Sequence, residues 1–469
     1  YTLTPSSDIN LVAYTLNGQS TTKTYAELLT TNVVKNVTCK NGTVAKWDNA
    51  TSSINLSSIK TPDYCTIDFT DGYTVTLTAT NGTVNPSNVS VGYGGSAKFT
   101  VTPNSEYILE LETNTCGGTL SGNTYTISNI TSAKSCSITF ASANPTLYNQ
   151  LLADKSTVLT RTDFSKVLTD NNTNTLYTGV EDSKTVYYFA GNATDNWVKF
   201  GKNTSNQDLY WRIIRTNSDG SVRLLYHSTS TTAENAYIAN DTKFNTTDED
   251  PMYVGYMYGT SNATAIDRSN TNNSTIKTVI DNWYKSNLEA KGYTKYLSTT
   301  AVYCNDRSIT EGTYNIDSSF NYAVRTRLDT NTTPSYDCAT TEDKFTVDKS
   351  TGNGKLTYPI ALMTADEVVF AGGKDAAAWY YYNSVRGKSS TGNTWWWLLS
   401  PHDWTGGKYS YASVSLVKAD SYGQLYDYEV DSRYTGVRPA ISLKSCVKYS
   451  SGNGSVSDPY TIKETETGC

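Results

Sequence analysis

The sequence predicts a mainly β protein, with two small β-sandwich-like domains followed by a larger head that mixes α and β. Three observations carry that expectation. Thr, Ser and Asn dominate the polar residues, only 17% of the 469 residues are charged, and 37 tyrosines stand against 10 phenylalanines. Tyrosine and β-branched residues suit pleated, half-buried surfaces. Eight cysteines occur, none in a C-x-x-C pair, so the spacing of a structural zinc site is absent and disulfides are the natural reading. Third, an early segment repeats itself. The length suggests about three domains. A formal net charge of −6 with no basic run argues against nucleic acid as a partner.

The repeat reads "VTCKNGTVAKWDNATSSINLSSIKTPDYCTIDF" at residues 37–69 and "NTCGGTLSGNTYTISNITSAKSCSITF" at 114–140. Each copy runs Thr-Cys, Gly-Thr, an aliphatic-Ser-x-Ile step and Cys-(Ser/Thr)-Ile-x-Phe. Such a copy predicts three short strands whose outer two are tied by a disulfide. Eight cysteines allow 105 pairings. Pairing chain neighbours closes four local loops: Cys39–Cys65, Cys116–Cys136, Cys304–Cys338 and Cys446–Cys469. Loops of about 20–35 residues each add roughly 3–4 kcal/mol in the chain-entropy account. Disulfides imply an oxidising location outside the cytoplasm, at a cell surface or secreted. No apolar run approaches the ~18–20 residues that span a bilayer. A chain opening at Tyr1 without Met is read as one whose signal or anchor has been removed.

Before the second copy, alternating apolar and polar residues run between Asn-Gly, Tyr-Gly-Gly and Pro-Asn turn signals. Residues 73–141 resemble the divergent internalin-type B-repeat of bacterial surface proteins, most specifically in "NGTVNPSN…VGYGGSAKFTVTPNSEY". That resemblance implies a stalk. Residues 1–70 and 71–142 are accordingly assigned as two small β-domains. "ASANPT" at 141–146 forms a linker, and 145–469 is the head.

In the head, "LYNQLLADK" opens with a short helical pattern. "LYWRIIRTNSDGSVRLLYHS" predicts a hairpin turning at Asn217-Ser218-Asp219-Gly220. "STIKTVIDNWYKSNLEAKG" puts Ile276, Val279, Ile280 and Trp283 on one helical face and stops before Gly292. "MTADEVVFAGG" writes out its own helix start, with Thr364 and Glu367 as a capping box and Gly372-Gly373 as the stop. "WWWLLSPHDW", residues 395–404, reads as a strand in which Trp396 faces opposite to Trp395 and Trp397. One face goes to the core and the other is covered by a loop or left to meet a partner; the triple Trp is read as mainly core. Ala412, Val414 and Leu416 alternate with Tyr411, Ser413 and Ser415 before the turn "ADSYG".

Residues 358–443, "YPIALMTADEVVFAGG … WWWLLSP … YASVSLVKADSYGQL … GVRPAISL", resemble an uncharacterised family of bacterial surface domains. That family is related to the C-type-lectin-like fold of formylglycine-generating enzymes and retroelement-diversified receptors. The resemblance implies a C-type-lectin-like head in which the W-x-L-x-S-P and G-V-R-P strands pair centrally. It gives Trp397, Pro401, Gly436, Arg438 and Pro439 structural roles, and Trp395 joins them as part of the triple Trp. The enzyme branch needs a reactive cysteine pair, whereas the nearest cysteine here, Cys446, lies beyond the G-V-R-P strand. No catalytic residue is therefore assigned.

The remaining motifs are weighed against chemistry. His402 with Asp403 has the makings of a general base and its orienter, but no Ser or Cys nucleophile sits in a recognisable elbow. His227 is expected to be an ordinary surface or edge residue. Asp248 and Asp250 in "TTDEDP" leave room for an irregular calcium site; no other cofactor or metal is expected. After Pro401, aromatic residues are interspersed with Asp427, Ser and Gly, a composition shared with antibody paratopes and suited to stacking on sugars. The expected binding face is His402, Asp403, Trp404, Tyr409, Tyr411, Asp420, Tyr422, Tyr426, Tyr428, Asp431, Arg433 and Tyr434. The expected function is an adhesin or receptor-like surface protein that binds a glycan or protein ligand on another cell or surface. A pilus or filament subunit, self-assembling through the N-terminal region, is one alternative. An enzyme of the formylglycine-generating-enzyme-like superfamily is the other.

Overall fold

The computed structural model describes residues 9–49, 51–105, 107–168, 173–232, 236–372, 374, 395–418 and 424–469. The fold is mainly β, and the chain divides into two compact units, Tyr1–Asn144 and Pro145–Cys469.

In the first unit the two repeat copies share one strand plan. Strand Ile9–Leu16 runs parallel to Asp63–Asp71, whose other edge pairs antiparallel with Asn32–Cys39. In the second copy Tyr73–Thr80 runs parallel to Lys134–Ser142, which pairs antiparallel with Tyr107–Asn114. Between the outer strands each copy inserts an antiparallel pair, Val44–Asp48 with Ser53–Ser57 and Thr119–Ser121 with Thr124–Ile130. A copy thus holds four strands, one more than its spacing suggests. Period-2 alternation sends Cys65, Ile67 and Phe69 inward. There Ile67 and Phe69 meet Leu28 of helix Tyr25–Thr31, which starts at a Thr24–Glu27 capping box. The second copy instead closes two four-stranded sheets around Val75, Leu77, Phe99, Tyr125, Ile138 and Phe140, a sandwich.

Four disulfides join Cys39–Cys65, Cys116–Cys136, Cys304–Cys338 and Cys446–Cys469, the pairs of chain neighbours. They fit an oxidising compartment. Among the described residues, no helix is long and apolar enough to cross a membrane.

The second unit holds a ten-stranded and a six-stranded sheet. The hairpin strands Asp208–Thr216 and Val222–Ser228 lie inside the larger sheet. Val222–Ser228 pairs onward with Pro439–Leu443, which in turn pairs with Ile360–Leu362. The smaller sheet runs through Phe320–Tyr322, Trp395–Thr405, Tyr411–Lys418 and Gln424–Glu429, with Thr435–Gly436 parallel to the start of Trp395–Thr405. Gly436 is required there. A Cβ at that position would sit 2.1 Å from the Tyr237 ring. One apolar core joins both sheets, from Trp211 and Ile213 to Trp397, Trp404 and Ile441.

That core also encloses ions. Arg215 pairs with Glu181 and Glu367 at 2.8 Å each, and Arg223 pairs with Glu367 at 2.8 Å. All four side chains are buried. Glu367 is also the third helical residue of Ala365–Ala371, accepting the Thr364 N–H in the expected capping box.

His227 departs from the sequence expectation of a surface or edge position. It is fully buried in Val222–Ser228, 4.4 Å from the Trp197 ring. Burial, together with the Arg438 and Arg212 charges, lowers its pKa to about 2. A base depressed in the fold takes up its proton in the unfolded chain first, below a pKa of ~6.5. Stability should therefore be level above about pH 6.5 and fall below it, by up to ~1.4 kcal/mol per pH unit from this group. Urea unfolding at pH 7.5 and pH 5 should show a smaller drop for His227→Phe than for wild type. Equal drops would put the acid sensitivity in other groups.

Candidate functional site

The tryptophan strand builds the site. Trp397 is wholly buried, donates its indole N–H to the Thr242 carbonyl at 2.7 Å, and meets the Phe244 ring edge-on. Trp396, on the other face, lies 4.8 Å beneath the Arg438 guanidinium. Trp395 is half-buried against Tyr428, with the Lys418 ammonium 4.6 Å above it. Covering both faces leaves the triple Trp to side-chain packing, as its period-2 pattern requires.

The strand then loses its ladder. Proline has no N–H to donate, so Pro401 sits where the register to Tyr411–Lys418 shifts, between Trp397 and Pro401 and again between Pro401 and Asp403. His402 is the extra residue at the second shift. Its ring enters a cleft of about 180 Å³ lined by Arg325, Asp329, Lys374, His402, Tyr426 and Asp427, among others. The helical turn 323–330 contributes one wall and the strand Gln424–Glu429 the other.

Three carboxylates surround the imidazole. Nε2 lies 3.2 Å from Asp329 Oδ2, and Nδ1 lies 3.4 Å from Asp403 Oδ2 and 3.5 Å from Asp427 Oδ2. The Ser413 hydroxyl donates to Asp403 Oδ1, and Arg325 pairs with Asp403 Oδ2. Lys374 stands 3.9 Å from Asp329. Burial alone would lower the His402 pKa. The hydrogen bond to Asp329 and the negative charges of Asp403 and Asp427 beside the ring outweigh it, raising the value to about 9. Burial moves Asp427 the other way from its acidic neighbours, above the ordinary carboxylate range. The surrounding carboxylates favour the protonated ring, the form without a free lone pair.

The expected binding residues do not form one patch. Trp404 is a correction: expected among the exposed anchors, it is 1% exposed and donates its N–H to the Ile316 carbonyl at 3.3 Å. Its partner in the ladder is Ala412, on the covered face that also holds Val414 and Leu416. Tyr428 and Tyr411 are half-buried. Tyr409, Tyr426 and Tyr434 are exposed, Tyr409 to 77%. Tyr426 pairs with Leu416 while Tyr409 precedes Tyr411, so the two lie on the order of 20 Å apart along the sheet. Arg433 is exposed, and Asp431 pairs with Lys243 at 3.3 Å. Asp420 and Tyr422 lie outside the described residues. Pro401, Gly436, Arg438 and Pro439 are buried, and Arg438 donates to the Tyr226 carbonyl.

The two carboxylates of the irregular calcium reading, Asp248 and Asp250, have different neighbours. Asp250 caps the short turn Pro251–Val254 through the Met252 N–H. Asp248 lies with Glu429 and Asp431, their carboxylate oxygens within 4.8 Å of one another. The residues that sequence reasoning missed are Arg325, Asp329 and Lys374. No family model, curated protein or solved structure matches this chain.

Proposed function

We propose that the chain is an extracellular, surface-presented binding protein, adhesin- or receptor-like, whose C-terminal unit takes a glycan. The carrying observation is the cleft beside His402. Arg325, Lys374 and His402 alternate with Asp329 and Asp427 along its walls, and the Tyr426 ring, 42% exposed, forms part of its lining. Walls of both signs pair with hydroxyls acting as donors and as acceptors, while a sugar ring stacks its apolar face on a tyrosine. The resemblance of residues 358–443 to C-type-lectin-like surface domains favours the same reading.

The test is a glycan and surface-protein array probed with the full chain and two variants. Tyr426→Ala should weaken capture by ~2 kcal/mol or more, as a buried aromatic anchor does. Its stability should stay within ~0.5 kcal/mol of wild type. Tyr409→Ala, far along the sheet, should bind normally. Capture lost in Tyr409→Ala and retained in Tyr426→Ala would move the binding face away from the cleft.

A further inference from the structure

His402, Asp403 and Asp427 do more than line a cleft. His402 Nδ1, Asp403 Oδ2 and Asp427 Oδ2 converge on one point, with all three ligand atoms within 4.8 Å of one another. The two measured edges, 3.4 Å and 3.5 Å, match the ~3.3–3.4 Å expected between tetrahedral ligands at ~2.0–2.1 Å from a metal. His402 Nδ1 is fully enclosed and makes no hydrogen bond. The imidazole is held from behind, where Nε2 faces Asp329. Ser413 likewise holds the second oxygen of Asp403. A carboxylate on the far nitrogen of a ligating histidine, with hydrogen bonds on the ligating carboxylates, is the outer arrangement of protein metal sites.

We propose that His402 Nδ1, Asp403 and Asp427 form a binding site for a divalent transition-metal ion of the zinc or manganese class, with a fourth position open to the cleft. One imidazole nitrogen and two carboxylate oxygens suit such an ion better than calcium, which takes six or more oxygens. The second acidic group, Asp248 with Glu429 and Asp431, is all oxygen, and its Asp431 is held by the Lys243 ammonium at 3.3 Å. Arg325, already on Asp403, shares that carboxylate with the metal. The site stands on its own geometry and does not depend on the glycan reading.

The experiment is titration of the full chain with ZnCl2, followed by calorimetry, with CaCl2 in parallel and CoCl2 as a spectroscopic probe. Wild type should bind one Zn²⁺ saturably, bind no Ca²⁺ at this site, and give visible Co²⁺ bands of a low-coordinate N/O site. Asp427→Asn and His402→Gln should each weaken Zn²⁺ at least 100-fold. Asp329→Asn, which acts only by positioning the ring, should weaken it about 10–100-fold. Asp248→Asn should leave it unchanged. Near-ultraviolet circular dichroism checks that each variant is folded, and Asp427, at the half-exposed edge, is the variant to rely on should His402→Gln not fold. No saturable Zn²⁺ in wild type, or equal affinity in Asp427→Asn, overturns the proposal. So does loss of binding in Asp248→Asn alone.

Discussion

Replacing Glu367 by Ala should destabilise the C-terminal unit by about 3–5 kcal/mol, the range for removing one partner of a buried ion pair. Glu367 Oε1 accepts from both Arg215 and Arg223, while Oε2 accepts the Thr364 N–H. Without the carboxylate, Arg223 keeps only its carbonyl partner Val302, its stacking on the Tyr303 ring and a long contact to Ser442. Arg215 keeps Glu181. One guanidinium charge is then buried with no counter-ion, which is the costly outcome. Glu367→Gln retains the helix cap and the volume, so it separates lost charge from lost cap. Urea unfolding of the three chains is the measurement. A loss below about 1 kcal/mol for Ala would mean that water reaches the arginines and that the network carries little weight.

Trp397→Ala should be as damaging, about 3–5 kcal/mol, because the indole is wholly buried in a core that cannot close over the cavity. The Thr242 carbonyl also loses its donor. Trp404→Ala should fall in the same range, since Trp404 shares that covered face. Tyr426→Ala, at the exposed edge, should differ from both. Thermal melting of the three variants distinguishes the cases. A mild effect in Trp404→Ala would return that side chain to the surface set.

What was legible in the sequence follows the range of the forces involved. The helix Ala365–Ala371 is written in four consecutive residues, because the Thr364 hydroxyl and the Glu367 carboxylate need reach only three positions. The hairpin 208–228 depends on one turn, and the disulfides on short loops. The same local signal exists at Thr24 and Glu27, where a helix went unread because its seven residues bury Leu28 alone. Trp404 was misplaced for a different reason. Period-2 counting from Trp397 puts it on the opposite face, but the two register shifts around Pro401 bring it back to the covered one. The cleft was half legible. His402 and Asp403 announce themselves by rarity, whereas Arg325 and Asp329 arrive from a helical turn over seventy residues away and carry no local mark.

The strand plan of the repeat has a mechanical consequence. Each copy is preceded by a strand that runs parallel to and beside the copy's last one, Ile9–Leu16 beside Asp63–Asp71 and Tyr73–Thr80 beside Lys134–Ser142. Parallel neighbours put the two chain ends of a copy taken with its preceding strand at opposite ends of the shared ladder. Tension drawn through the backbone therefore loads that ladder in shear, so its hydrogen bonds strain together, whereas an antiparallel pair pulled from one end opens one bond at a time. Within each copy the cross-link Cys39–Cys65 or Cys116–Cys136 also withholds its loop from any extension. A short β-module wired in this way resists being pulled out along its length.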